Sequence, residues 1–209
     1  MSNSKNLTFD GVNMRIKDIE YNAPKANKTG KFIFTKKNIY VKLRNVKSFG
    51  ASEFQGNDRF KLSIQLNDDT VLENVKAFEE ELKKDVFQNS KQWLGKDVKS
   101  IDAIDAYVSS IVKNRKNDES PYMHIKLVKK HDKEWKFDIY DADRNIIYPS
   151  PKNDDVNPFD FINNNSDVDV MFQYNGFSIV NGKAHPSLTL YQMKLNTPLI
   201  DEEEKKCEL

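Results

Sequence analysis

Apolar and polar residues alternate one by one in several short stretches of this chain. Ile39, Val41 and Leu43 interleave with Tyr40, Lys42 and Arg44, and Phe60, Leu62, Ile64 and Leu66 with Lys61, Ser63, Gln65 and Asn67. A period of two marks a strand with one buried face. The same signature returns at Met123, Ile125 and Leu127, at Trp135, Phe137 and Ile139, at residues 146–148, and from Val168 through Tyr174. Asn175-Gly176 reads as a hairpin turn before a strand at residues 177–180, and Asn181-Gly182 as a second turn before a closing strand that reaches Leu195. Loops are expected at residues 48–52, 56–58 and 149–167, a turn at residues 141–145, and residues 1–31 form an irregular lead-in with at most one short strand near residues 14–19.

Between residues 71 and 113 the period changes. Leu72, Val75, Phe78, Leu82, Val86 and Trp93 recur at helical steps, with Glu79, Glu80, Glu81, Lys83 and Lys84 on the remaining faces and Gly95 as the stop. Ile101, Ile104, Val108, Ile111 and Val112 predict a second, shorter helix. Seven to nine strands with two consecutive helices in one insertion make a mainly β chain, a small barrel or sandwich with a helical cap.

The single cysteine, Cys207, excludes an internal disulfide framework and a cysteine zinc site. No apolar run approaches the roughly 20 residues of a membrane span, and the first residues lack a secretory apolar stretch. No membrane partner is expected. The formal net charge of +1 conceals a gradient: residues 1–47 hold 11 Lys and Arg against 3 Asp and Glu, and residues 150–209 hold 5 against 10. A basic front attracts polyanions, and an acidic end repels or mimics them.

Catalytic chemistry finds little support. His124, His131 and His185 have no partner at metal or triad spacing. Asp141-x-Asp143-x-Asn145 begins like a calcium loop, but Ile146 and Lys152 stand where glycine and glutamate are required. A magnesium nuclease built on Glu134, Asp138, Asp141 and Asp143 is the weakest reading. No enzyme activity, catalytic residue, metal or cofactor is expected.

Binding is better supported. Cations that track phosphates, set beside flat rings that stack bases, suit a single strand of nucleic acid. Lys36, Lys37, Lys42, Arg44, Lys47 and Lys126 are the phosphate candidates, with Lys136 and Lys183 as further ones; Tyr40 and Phe49 are the stacking candidates. Trp135, Phe172 and Phe177 are assigned to the core.

Several motifs follow in order: the basic strand, Phe49-Gly50-Ala51-Ser52-x-Phe54, Phe60-Lys61-Leu62-Ser63-Ile64, Asn89-Ser90-x-x-Trp93-Leu94-Gly95-Lys96, Tyr122-Met123-His124-Ile125-Lys126-Leu127, and Val180-Asn181-Gly182-Lys183 running on to Leu188-x-Leu190-Tyr191-Gln192-Met193-Lys194. Over residues 30–195 the chain resembles the OB-fold single-stranded-DNA-binding proteins of nucleo-cytoplasmic large DNA viruses, which are similar to the replication single-strand binders of tailed phages. The resemblance implies an OB-fold-like barrel over residues 1–195 with a helical insertion at about 71–113. It also implies sequence-independent binding of single-stranded DNA in viral replication, recombination or repair, within a viral factory in the cytoplasm, the nucleus or the virion. A flexible acidic tail, residues 196–209, would contact replication proteins, and a homodimer is the family habit. This tail departs from the phage pattern at Lys205-Lys206 and at Leu209. The competing class is a viral structural or scaffold protein whose exposed strands bind a partner protein.

Overall fold

The computed structural model describes residues 6–28, 30–53, 59–115, 118–130, 134–150 and 156–197. In chain order the elements are β1 (Leu7–Asp10), β2 (Lys25–Asn27), β3 (Gly30–Glu53), β4 (Phe60–Gln65), α1 (Asp69–Gln88), α2 (Ser90–Trp93), β5 (Lys113–Arg115), β6 (Asp118–Leu127), β7 (Asp138–Tyr140), β8 (Ile146–Tyr148), β9 (Asn164–Val180) and β10 (Lys183–Leu195). Short 3-10 helices cover Gly11–Asn13, Ile101–Ala106 and Pro158–Phe161.

Five strands pair in the order β6-β4-β3-β9-β10, and β10 returns to β6 through a parallel contact at Thr189 and Lys126. The other four pairings are antiparallel. A five-strand ring whose third and fifth strands in chain order, β6 and β10, meet in parallel has the OB-fold order, so the chain is mainly β and OB-fold-like. The alternation read from the sequence holds: Ile39, Val41, Leu43, Leu62, Ile64, Met123 and Ile125 fill the interior. Trp135, Phe172 and Phe177 are buried, as expected of core rings.

Within the ring the 24-residue β3 serves two neighbours, β9 along most of its length and β4 along its last part, and β1 and β2 pair with it from outside the ring. It turns at Asn45 and Gly50, both at positive φ, and Ser48 Oγ accepts from the Gly50 amide. The expected loop at residues 48–52 is therefore part of the strand, and Phe49 sits in β3 opposite Asn164. A second correction concerns Asn175-Gly176, which does not turn the chain. Gly176 lies inside β9 at φ 100°, where an added Cβ would stand 2.0 Å from the Ile33 carbonyl oxygen. Glycine there allows β3 to approach closely, a role that sequence shares with hairpin turns.

The helical insertion lies between β4 and β6. Asp68 caps α1 by accepting from the Val71 amide at 2.9 Å, and Val71, Val75, Phe78, Leu82 and Val86 form its buried stripe; Glu79, expected on a solvent face, is buried with them because the Ile111 amide donates to its carboxylate. The second helix is shorter than expected. Ser100 caps the 3-10 turn at Ile101–Ala106, after which Val108 pairs with Ala184 in an extended bridge. Apolar spacing of three and four fits both conformations.

Tyr21, Trp93, Phe78, Tyr174 and Phe177 join the insertion to the ring through edge and tilted ring contacts. Tyr21 Oη donates to Asp85 Oδ2 at 2.7 Å. The expected turn at residues 141–145 is present, with the Asn145 amide donating to Asp141 Oδ1. Among the described residues no helix is long and apolar enough to cross a membrane. The acidic residues 201–204, His131 and Cys207 lie outside the described residues.

Candidate nucleic-acid interface

Strand alternation decides which side chains leave the ring. On β4 and β6 the interior takes Leu62, Ile64, Met123 and Ile125, so Lys61, Ser63, His124 and Lys126 point outward. The antiparallel register then sets Lys61 directly opposite Lys126 and Ser63 opposite His124. Parallel pairing of β10 adds a third strand, whose outward residues include Lys183, His185 and Ser187. Lys126 Nζ donates to Ser187 Oγ at 3.3 Å. On the far edge β5 brings Lys113 opposite Tyr122. Arg59 stands beside Lys126 at the start of β4.

Five cations thus gather on one wall: Arg59, Lys61, Lys113, Lys126 and Lys183. Their mutual field is visible on three groups. The His124 pKa falls to about 4, first through burial and then through the charges of Lys61 and Lys113. The His185 pKa is lowered by burial and then by Lys183, Lys126 and Lys113. Lys126, although its side chain is exposed, has an ammonium crowded against the sheet, and this desolvation, with Arg59 beside it, holds its pKa below the lysine range. Among the described residues, every charge acting on these three groups is positive. Among the described residues none of Arg59, Lys113, Lys126 and Lys183 forms an ion pair with a carboxylate.

His124 is held as a neutral ring. Lys61 Nζ lies 3.3 Å from His124 Nε2, and an ammonium can only donate, so Nε2 accepts. The proton then sits on Nδ1 and is donated to Ser63 Oγ at 2.9 Å. His185 Nδ1 lies 2.8 Å from Ser109 Oγ.

The residues selected from sequence divide between this wall and another. Lys126 and Lys183 belong to the cation wall. Lys36, Lys37, Tyr40, Lys42, Arg44, Lys47 and Phe49 all lie on β3, whose first half is flanked by β1 and β9. Carboxylates answer most of these cations. Lys36 pairs with Glu20 at 3.2 Å, Arg44 with Asp10 at 3.2 Å and Lys47 with Asp167 at 3.1 Å, and Lys42 lies in the field of Asp169. Lys37 is exposed beside a small cleft lined by Leu7, Phe9 and Ile39. Phe49 is half-buried. Tyr40 packs against Tyr191 with ring centroids 4.8 Å apart. Lys136 is exposed on the rim of a cleft of about 160 Å³ that Tyr191 also borders.

Arg59, Lys61, Lys113, His124 and His185 were not among the residues selected from sequence. Lys61 and Lys126 occupy the polar faces of two alternating strands, which is readable, but their direct opposition depends on register. Lys113 reaches the wall only because the insertion returns there.

No family model matches the sequence, and no curated protein does. Among solved structures the chain is similar to the single-stranded DNA-binding protein from bacteriophage Enc34 in complex with single-stranded DNA. Identity is 12% and the TM-score 0.47, over 89% of this chain and 98% of that one. It is also similar to gp2.5, a single-stranded DNA binding protein encoded by bacteriophage T7, at 16% identity and a TM-score of 0.46, over 83% of this chain and 99% of that one. At this level of likeness no residue role passes from those proteins to this chain.

Proposed function

We propose that this protein binds single-stranded DNA without reading its sequence, and that the wall of Arg59, Lys61, Lys113, Lys126 and Lys183 carries the phosphates. One observation supports this above the others. Lys61 and Lys126 face each other across adjacent strands, an arrangement of like charges that costs stability in the free protein. The surrounding cations deepen that cost, and within the described residues no carboxylate pairs with Lys126. A phosphate backbone between the strands turns the repulsion into attraction and releases counterions. The protein's part is binding, with no bond made or broken. The motif resemblance supports DNA as the nucleic acid and viral replication, recombination or repair as the setting.

Fluorescence anisotropy with matched single- and double-stranded oligonucleotides over a salt series tests the reading. The expected result is a preference for the single strand and an affinity that falls steeply as salt rises. Equal or absent binding of the two forms overturns it, and a scaffold protein binding a partner chain would give that result.

A further inference from the structure

The outward face of β10 does not end at the cation wall. Met193 and Leu195 are buried, as are Ala184, Leu188 and Leu190, which leaves Lys183, His185 and Thr189 facing out; at the two register shifts of the strand, Ser187 reaches Lys126 and Tyr191 is exposed on the same side. Thr189 is paired with Lys126, so Tyr191 lies one outward step, about 7 Å of strand, beyond the wall. Tyr191 is 41% exposed, an unusual position for a large ring. Tyr40 meets it from β3 at 4.8 Å with the ring planes tilted by 53°, so the two rings are not stacked face to face. Tyr140 stands close by, and the hydroxyls of Tyr40 and Tyr140 are both pushed upward in pKa, chiefly by burial, with Tyr191 contributing. Beside Tyr191 opens the cleft of about 160 Å³, walled by Trp135, Phe137, Tyr148 and Pro149.

We infer that a bound single strand leaves the cation wall along β10 and stacks bases on Tyr191 and Tyr40, with the adjoining cleft giving a splayed base room. This rests on the binding proposed above and adds a second, chemically different segment to it. Charge around the tyrosines is mixed: Lys42 and Lys194 act on Asp169, and Gln192 Nε2 donates to Asp138. Stacking, and not phosphate neutralisation, is what this patch offers. Ring faces take any base, so the segment adds affinity without sequence preference.

The experiment uses the full chain and oligo-dT of about 16 nucleotides, the upper end of site sizes for one OB-fold. Trp93 and Trp135 are buried, so Tyr191→Trp places an exposed indole in the path. Its fluorescence is expected to be quenched in step with the anisotropy change. Tyr191→Ala is expected to weaken binding roughly tenfold at every salt concentration, as loss of one stacked base does, with the salt slope unchanged. Intact binding with an unquenched indole and parental affinity for Tyr191→Ala overturns the tyrosine path alone. No binding by the parent chain overturns the phosphate wall beneath it.

Discussion

Glu79 offers a demanding test of how the insertion positions the interface. It is 7% exposed on α1. Its Oε2 accepts from the Ile111 amide at 2.7 Å and the Val112 amide at 3.2 Å, and Ser110 Oγ donates to its carboxylate at 2.8 Å. These three residues lead directly into Lys113, so one buried carboxylate fixes the chain where β5 begins. Glu79→Leu fills the space but leaves both amides without their acceptor. A hydrogen bond to a charged group contributes about 1.5–3 kcal/mol, and a stranded buried donor costs about 1–3 kcal/mol. The Ile111 bond is buried and the Val112 bond partly so, and together they put the loss at about 3–5 kcal/mol. That is a large share of the roughly 5–15 kcal/mol of a typical domain. Glu79→Gln keeps one acceptor and should lose about 1–2 kcal/mol. Urea unfolding at pH 7, with the slope checked for constancy, measures both. Glu79→Leu within about 0.5 kcal/mol of the parent would show that the carboxylate does not hold this segment.

Other outcomes follow from the same geometry. His124 resists protonation until about pH 4 in the folded chain, whereas unfolded histidine takes its proton near 6.5. The unfolded state therefore binds more protons between those values, and stability falls as pH drops through that window, by about 2 kcal/mol after allowance for partial exposure. His124→Gln should remove that part of the pH dependence, and identical losses in parent and variant between pH 7 and pH 4 would contradict it. Gly176→Ala should cost more than about 2 kcal/mol in urea unfolding, because φ 100° and the Ile33 carbonyl both oppose a Cβ; an unchanged midpoint would refute the close approach. Burial already raises the Asp85 pKa, against the opposing effect of the Tyr21 hydrogen bond. Tyr21→Phe should raise it further, measurable by NMR titration of the carboxyl carbon, and a fixed or falling midpoint would exclude the bond.

Local pattern carried much of the fold. Alternation located the ring strands, helical spacing located α1, and the polar run at residues 141–145 located its turn. Each of these signals is written in neighbouring residues. What failed locally depends on distant ones. Gly176 has the same neighbours as a turn glycine, and only the passage of β3 explains it. Ile101 through Val112 satisfies helical spacing, yet Ala184 draws Val108 into an extended bridge. The interface divides in the same way. Tyr40, Lys42 and Arg44 were visible as one polar face, but their carboxylates, Asp10 among them, come from other strands. Arg59, Lys61, Lys113, Lys126 and Lys183 converge only once register and ring closure are set.

The most direct measurement compares salt slopes of oligo-dT affinity for two double variants. Each phosphate contact to a single strand contributes about 0.7 to the slope of log affinity against log salt. Lys61→Gln with Lys126→Gln should therefore flatten the slope by about 1.4, while Arg44→Gln with Lys47→Gln, whose cations already pair with Asp10 and Asp167, should leave it nearly unchanged. The reverse ranking would place the phosphates on the β3 wall and contradict the account.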